Sequence, residues 1–190
     1  MHHELLWLHS FVEAHAYILS QVMGFFFLVF NVIRFHQTDR KSILLWALPV
    51  GLMSILSQSL NNQWQGASLS LASTSSALMQ IPFYKKHKTH KGFRIVIGVM
   101  FGILGVIICP PTAIWVTWLP LIAYTLGRIG EAMHSFLHMR IVWLFSTTIY
   151  IWYNALSHNF LIMITECIIL FLSIRFVYAQ VKDSVLWKLV

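Results

Sequence analysis

Long apolar runs alternate with short polar clusters along this chain. Seven runs stand out: Phe11–Ile33, Ser42–Leu60, Gly66–Phe83, Ile95–Cys109, Thr112 to about Arg128, Ile141–Leu156 and Phe160–Tyr178. Most approach the roughly 20 apolar residues that a helix needs to cross a bilayer. The fifth can continue as a helix past His138. Between the fourth and fifth lies Cys109-Pro110-Pro111. Proline lacks a backbone donor and ends helices, so this step reads as a tight turn between two spans, the alternative being one broken span.

The basic residues choose between those readings. Arg34, Arg40 and Lys41 follow the first run; Lys85, Lys86, Lys88, Lys91 and Arg94 follow the third. Arg128 and Arg140 flank the link from fifth to sixth, and Arg175, Lys182 and Lys188 close the chain. With seven spans all 13 Lys and Arg fall on one side. The positive-inside rule makes that side cytoplasmic, with the N-terminus out and the C-terminus in. The basic residues then report topology rather than a ligand.

Composition excludes other classes. Apolar residues make up 58% of the 190 and charged residues only 10%, against about a quarter charged in a soluble domain. A soluble enzyme, a disordered chain and a nucleic-acid binder are ruled out, despite the net charge of +7. Cys109 and Cys167 lie inside apolar runs and form no disulfide framework. The first run has neither the basic flank nor the cleavage site of a signal peptide.

The order of links suggests duplication. Spans one to three and five to seven each have a longer basic link followed by a short uncharged one. At an offset of 100 residues Arg40 matches Arg140, Leu44 matches Leu144, Leu56 matches Leu156 and Ser57 matches Ser157. Ser54 then corresponds to Asn154. The expected architecture is an all-α membrane protein of seven transmembrane helices in a parallel 3+1+3 arrangement. Residues 1–84 form the N-terminal tail and first triple-helix repeat, 85–110 the basic loop and linker span, and 111–190 the second repeat and tail. Span four suits a linker, because Gly98, Gly102 and Gly105 let another helix approach closely. Span three is rich in Gly, Ala, Ser and Thr from Gly66 to Ala77, which suits either packing or cavity lining.

The stretch from Leu119-Pro120-Leu121-Ile122 to Met139-Arg140-Ile141-Val142-Trp143-Leu144-Phe145-Ser146-Thr147 is the most distinctive. With Tyr153-Asn154, Thr165-Glu166, Ile174-Arg175-Phe176, Gly24, Arg40-Lys41 and Gly66-Ala67-Ser68 it resembles the bacterial inner-membrane YgjV family. The chain departs from similar proteins at Ala72 and Ser75. The resemblance implies an inner-membrane protein, distantly like the sugar-transporter (SWEET) and PQ-loop group, whose triple-helix repeats are joined by a linker span. The Pro-Gln pair of that group is absent.

Polar groups inside a membrane cost energy unless paired or hydrated, and so are the first functional candidates. Tyr17, Gln21, Gly24 and Asn31 share a face of span one. Ser54, Gln58 and Asn61 share one in span two, and Thr147, Tyr150, Asn154 and Ser157 one in span six. Trp152 neighbours Asn154 and can stack on a solute. Glu166 lies about six residues into span seven, roughly 9 Å deep. It can carry a coupling proton, contact a solute or bond a neighbouring helix. The candidate substrate-binding set is Gln21, Ser54, Gln58, Tyr150, Trp152, Asn154 and Glu166. Arg128, Glu131, His134 and His138 share a helical face, but the Arg128–Glu131 pair favours a salt bridge over a metal. The histidines near the N-terminus read as an interfacial tail, and Lys85–Lys91 as a loop that attracts anionic lipid.

No nucleophile–base pair or phosphate loop appears, so no enzyme, cofactor or metal is expected. The leading expectation is a small-molecule transporter with a central polar site between two repeats. The alternative is a non-transporting membrane receptor or assembly partner. Expected partners are membrane lipid, an unidentified solute and, as a homo-oligomer, a second copy of the chain.

Overall fold

A computed structural model describes residues 2–37, 40–81, 91–112, 114–133 and 135–186, with side chains throughout except at 2–14, 40, 91, 94, 132, 136 and 183–186. Within the described residues there are seven α-helices and no strand. They are α1 (His2–Phe35), α2 (Arg40–Leu60), α3 (Trp64–Gln80), α4 (Lys91–Ile108), α5 (Leu119–Ala132), α6 (Phe136–Leu156) and α7 (Phe160–Leu186), with a single 3-10 turn at Trp115–Trp118.

Two boundaries differ from the sequence expectation. The fifth helix starts at Leu119, not Thr112. Thr117 holds the preceding loop, its Oγ1 accepting from Thr112 N at 3.0 Å and donating to Ile114 O at 2.7 Å. Pro120, near the start of α5, needs no donor there. The helix also does not run past His138. Met133 and Ser135 have extended backbones, and the Ser135 hydroxyl accepts from His138 N to start α6. Glu131 and His138 therefore lie on different helices. Cys109-Pro110-Pro111 does separate two helices, as expected.

Among the described residues three segments are long and apolar enough to cross a membrane, namely His15–Phe35, Lys41–Leu60 and Phe160–Lys182, and Ile95–Ile108 is a shorter apolar helix. The polarity of the bundle is inverted relative to a water-soluble protein. Ser20, Ser57, Gln58, Ser76, Asn154, Asn159 and Thr165 are fully buried, while Phe25, Ile103, Ile107, Phe145 and Phe171 face outward. Such an exterior suits lipid, where the polar groups must find partners inside.

The helices close a ring. α1 packs on α2 and α7, α2 on α3, α3 on α5, α5 on α6 and α6 on α7. α4 lies across the seam between α3 and α5, packed on both. Its glycines make the fit. A Cβ on Gly98 would stand 3.1 Å from Arg128 Cδ, and one on Gly102 would stand 2.8 Å from Tyr124 Cε1. The Tyr124 hydroxyl donates to Gly98 O at 2.7 Å.

The α2–α3 and α6–α7 turns meet at one end of the bundle. Gln63 Nε2 donates to Ser157 O at 2.8 Å, and Asn159 Nδ2 donates to Ser57 Oγ at 3.4 Å. The loop after α4 joins them, since Gln65 Nε2 donates to Pro110 O at 2.8 Å. These are the links without basic residues. The ends of α1 and α5 meet at the opposite end, where Arg34 approaches Glu131 and Arg140 Nη2 donates to Phe35 O at 3.0 Å.

The two turns also share one backbone pattern. Gln63 N donates to Gln58 O at 2.8 Å, and Asn159 N donates to Asn154 O at 2.9 Å. Asn62 and His158 both have φ 57, a left-handed residue that closes the preceding helix as in a Schellman turn. Corresponding residues are 96 apart. So are the bounds of α2 and α6, Arg40–Leu60 and Phe136–Leu156, and the starts of α3 and α7, Trp64 and Phe160. The helix bounds and turn hydrogen bonds thus recur at a spacing of 96 rather than 100, which sets Gln58, not Ser54, opposite Asn154.

Candidate functional site

The ring holds a half-open cavity of about 190 Å³ lined by α1, α2, α3, α5, α6 and α7, with no lining residue from α4. It is well above the roughly 10–15 Å³ needed to hold one water and has room for a small solute. Its lining repeats at the same offset of 96. Phe27 and Ala123, Asn31 and Gly127, and Phe35 and Glu131 all face it; so do Ala47 and Trp143, Val50 and Ser146, and Gly51 and Thr147. Ser54 with Tyr150, Ser70 with Glu166, and Ser73 with Ile169 complete the series.

Toward the turn end lies a neutral polar cluster. Ser54 Oγ and Ser70 Oγ are 3.0 Å apart. Gln58 Nε2 donates to Ser54 Oγ at 2.8 Å, and lies 3.4 Å from Ser70 Oγ and 3.5 Å from the Tyr150 hydroxyl. Ser70 Oγ and the Tyr150 hydroxyl are 3.4 Å apart. Gly66 makes room for this cluster, because a Cβ there would collide with Gln58 Oε1 and come within 2.9 Å of the Tyr153 hydroxyl.

Toward the other end lies a charged cluster. Arg128 Nη2 donates to Glu131 Oε1 at 2.7 Å and to Ser73 Oγ at 2.9 Å, and Arg128 Nη1 donates to Ser76 Oγ at 3.2 Å. Its guanidinium stands over the Tyr124 ring at 5.4 Å. Arg140, 2% exposed, sits over the Phe35 ring at 4.1 Å. Arg34 Nη2 is 4.0 Å from Glu131 Oε1, and its guanidinium lies 5.3 Å from the Trp143 ring centre. Ser70 and Ser76 mark the two clusters on α3, and their six-residue separation is a rise of about 9 Å.

Of the residues expected to bind a solute, Ser54, Tyr150 and Glu166 line the cavity, and Gln58 stands directly behind Ser54 and Tyr150. The others are elsewhere. Gln21 is half-buried and donates to Ser20 Oγ at 3.2 Å. Trp152 is 62% exposed, on the outside of α6, and cannot stack on a solute held inside. Asn154 is fully buried but donates to Tyr150 O at 2.8 Å, one turn back on its own helix. Tyr17, placed on the same face as Gln21, is exposed.

Arg34, Arg128 and Arg140 carry the opposite correction. They read as markers of the cytoplasmic side, yet all three line the cavity together with Glu131. The Arg128–Glu131 pair is expected from the helical face and is present at 2.7 Å, whereas the sequence signal of Arg34 and Arg140 is that of any loop arginine and only the inward rotation of their helices separates them. His134, the N-terminal side chains through Glu13 and the side chains of the Lys85–Lys91 patch lie outside what the structure describes. No group of three potential metal ligands occurs among the described residues.

A family model described as Imp-YgjV, bacterial inner membrane protein, matches residues 18–183. No curated protein and no solved structure matches the chain.

Proposed function

The chain belongs to the Imp-YgjV family of bacterial inner membrane proteins, and from that premise we propose that it is a small-molecule transporter with its solute site in the central cavity. In this reading seven helices span the membrane in a parallel 3+1+3 arrangement, with the N-terminus outside and the C-terminus in the cytoplasm. α1–α3 and α5–α7 are the two repeats, and α4 is the linker.

One observation supports this reading above the rest: equivalent positions of the two triplets, 96 residues apart, face one polar cavity. A site shared between two like halves is where relative rocking changes access from one side to the other. Meeting of both uncharged turns at one end supports a parallel relation of the halves. α4 packs outside the ring, as a linker would.

The test is uptake by sealed liposomes containing the purified, monodisperse protein. A panel of sugars, nucleosides, amino acids and vitamins is compared with empty vesicles. At least one solute is expected to enter faster with the protein present. Uniform failure across the panel with folded protein defeats the transport reading and favours the receptor alternative.

A further inference from the structure

We propose that the cavity holds a small zwitterion, its anionic group on Arg34 and its cationic group on Glu166; this deepens the transporter reading and rests on it. The argument starts from which charges in the cavity are already satisfied. Arg128 and Glu131 are matched at 2.7 Å, and Arg128 also reaches two serines. Arg140 is engaged with the Phe35 carbonyl. Arg34 and Glu166 are different.

The Arg34 side chain is 20% exposed and lines the cavity. Among the described residues its five N–H groups make no hydrogen bond. Its ion-pair partner, Glu131 at 4.0 Å, lies beyond hydrogen-bonding distance, and that carboxylate oxygen already accepts from Arg128. Arg34 Nε is buried without a hydrogen-bond partner among the described residues; the same is true of Nε in Arg128 and Arg140, but those two guanidiniums donate through their Nη groups. Glu166, 9% exposed, also lines the cavity. Its carboxylate accepts no hydrogen bond and has no ion-pair partner within 4.0 Å among the described residues. Both side chains line the same cavity, yet no ion pair of 4.0 Å or less joins them.

Two opposite charges left short of partners in an apolar setting are costly. A solute bearing one group of each sign satisfies both at once. A carboxylate or phosphate matches the planar fork of Arg34, and an ammonium matches Glu166. A simple anion would face the Glu166 carboxylate, and a simple cation would face Arg34. Ser70 and Tyr150, which also line the cavity, supply neutral donors and acceptors to the solute body.

Because Arg34 and Glu166 are farther apart than a contact pair, the series glycine, β-alanine and 4-aminobutyrate is the natural probe. Binding is measured calorimetrically on the full chain in detergent, against butyrate and butylamine. A zwitterion is expected to bind about tenfold or more tightly than either singly charged analogue, the worth of one charge-assisted hydrogen bond. Glycerophosphoethanolamine forms a parallel arm. If it binds and the amino acids do not, the zwitterion is a lipid headgroup; the reverse result identifies a free solute. Arg34→Gln should abolish discrimination against butylamine, and Glu166→Gln discrimination against butyrate, each leaving the other intact. Equal binding of butyrate or butylamine by the wild-type protein overturns the assignment without any variant. Zwitterion binding without liposome uptake defeats only the transport reading. Uptake that ignores solute charge defeats only this one.

Discussion

At Gly66 a single methyl group separates an ordered polar cluster from a broken one. The site of that methyl is occupied by Gln58 Oε1, with the Tyr153 hydroxyl beside it. Gly66→Ala should therefore displace Gln58 from Ser54 and Ser70 and destabilise the fold by about 1–3 kcal/mol. Gly92→Ala is the control, since nothing lies within 4 Å of its Cβ position; it should be neutral or stabilising by up to about 1 kcal/mol. Thermal unfolding in one detergent compares the two. A Gly66→Ala protein as stable as wild type would show that the cluster gives way freely. The polar residues at this scale were partly legible. Ser54, Gln58, Tyr150 and Glu166 stood out because a polar residue within an apolar run is conspicuous by itself. Arg34 did not, because it sits where a run ends and any basic residue there reads as a topology marker.

Among whole helices, α4 and α6 make opposite predictions. α4 holds the seam of α3 and α5 through its glycine face, with Gly102 against Tyr124. Gly102→Leu should lift α4 from that seam and lower stability by roughly 1–3 kcal/mol, read as an earlier melting transition. The outer face of α6 should tolerate change. Trp152→Ala removes a large exposed ring and should leave solute binding within about twofold of wild type, since it does not line the cavity. A larger loss would place Trp152 in the site after all. The clasped turns are a third element-level feature. Gln63→Ala leaves the Ser157 carbonyl without its 2.8 Å donor and should cost about 1–3 kcal/mol. In a double-mutant cycle with Asn159→Ala the two losses should couple. Additivity would mean that the turns are independent.

For the whole molecule the testable quantity is orientation. If seven helices span, a reporter fused after Val190 scores cytoplasmic, and single cysteines at Asn62 and His158 react with an impermeant reagent added outside. Both turns should label from the same side, since they touch each other. Labelling from opposite sides, or a periplasmic Val190 reporter, would break the seven-span arrangement.

Membrane residence, the sequence of helices and the grouping of uncharged links were determined by the sequence alone. Each depends on properties that add along the chain, such as hydropathy over a window, proline at a step and charge in a link. Which residues face each other was decided only by the tertiary structure. The offset of 96 rather than 100 emerged from helix bounds and turn hydrogen bonds, because a shift of four residues is about one helical turn and leaves the apolar pattern almost unchanged. Trp152 turned outward and Arg34 inward for the same reason. A helix's rotation is set by its packing against neighbours, and no local pattern records it.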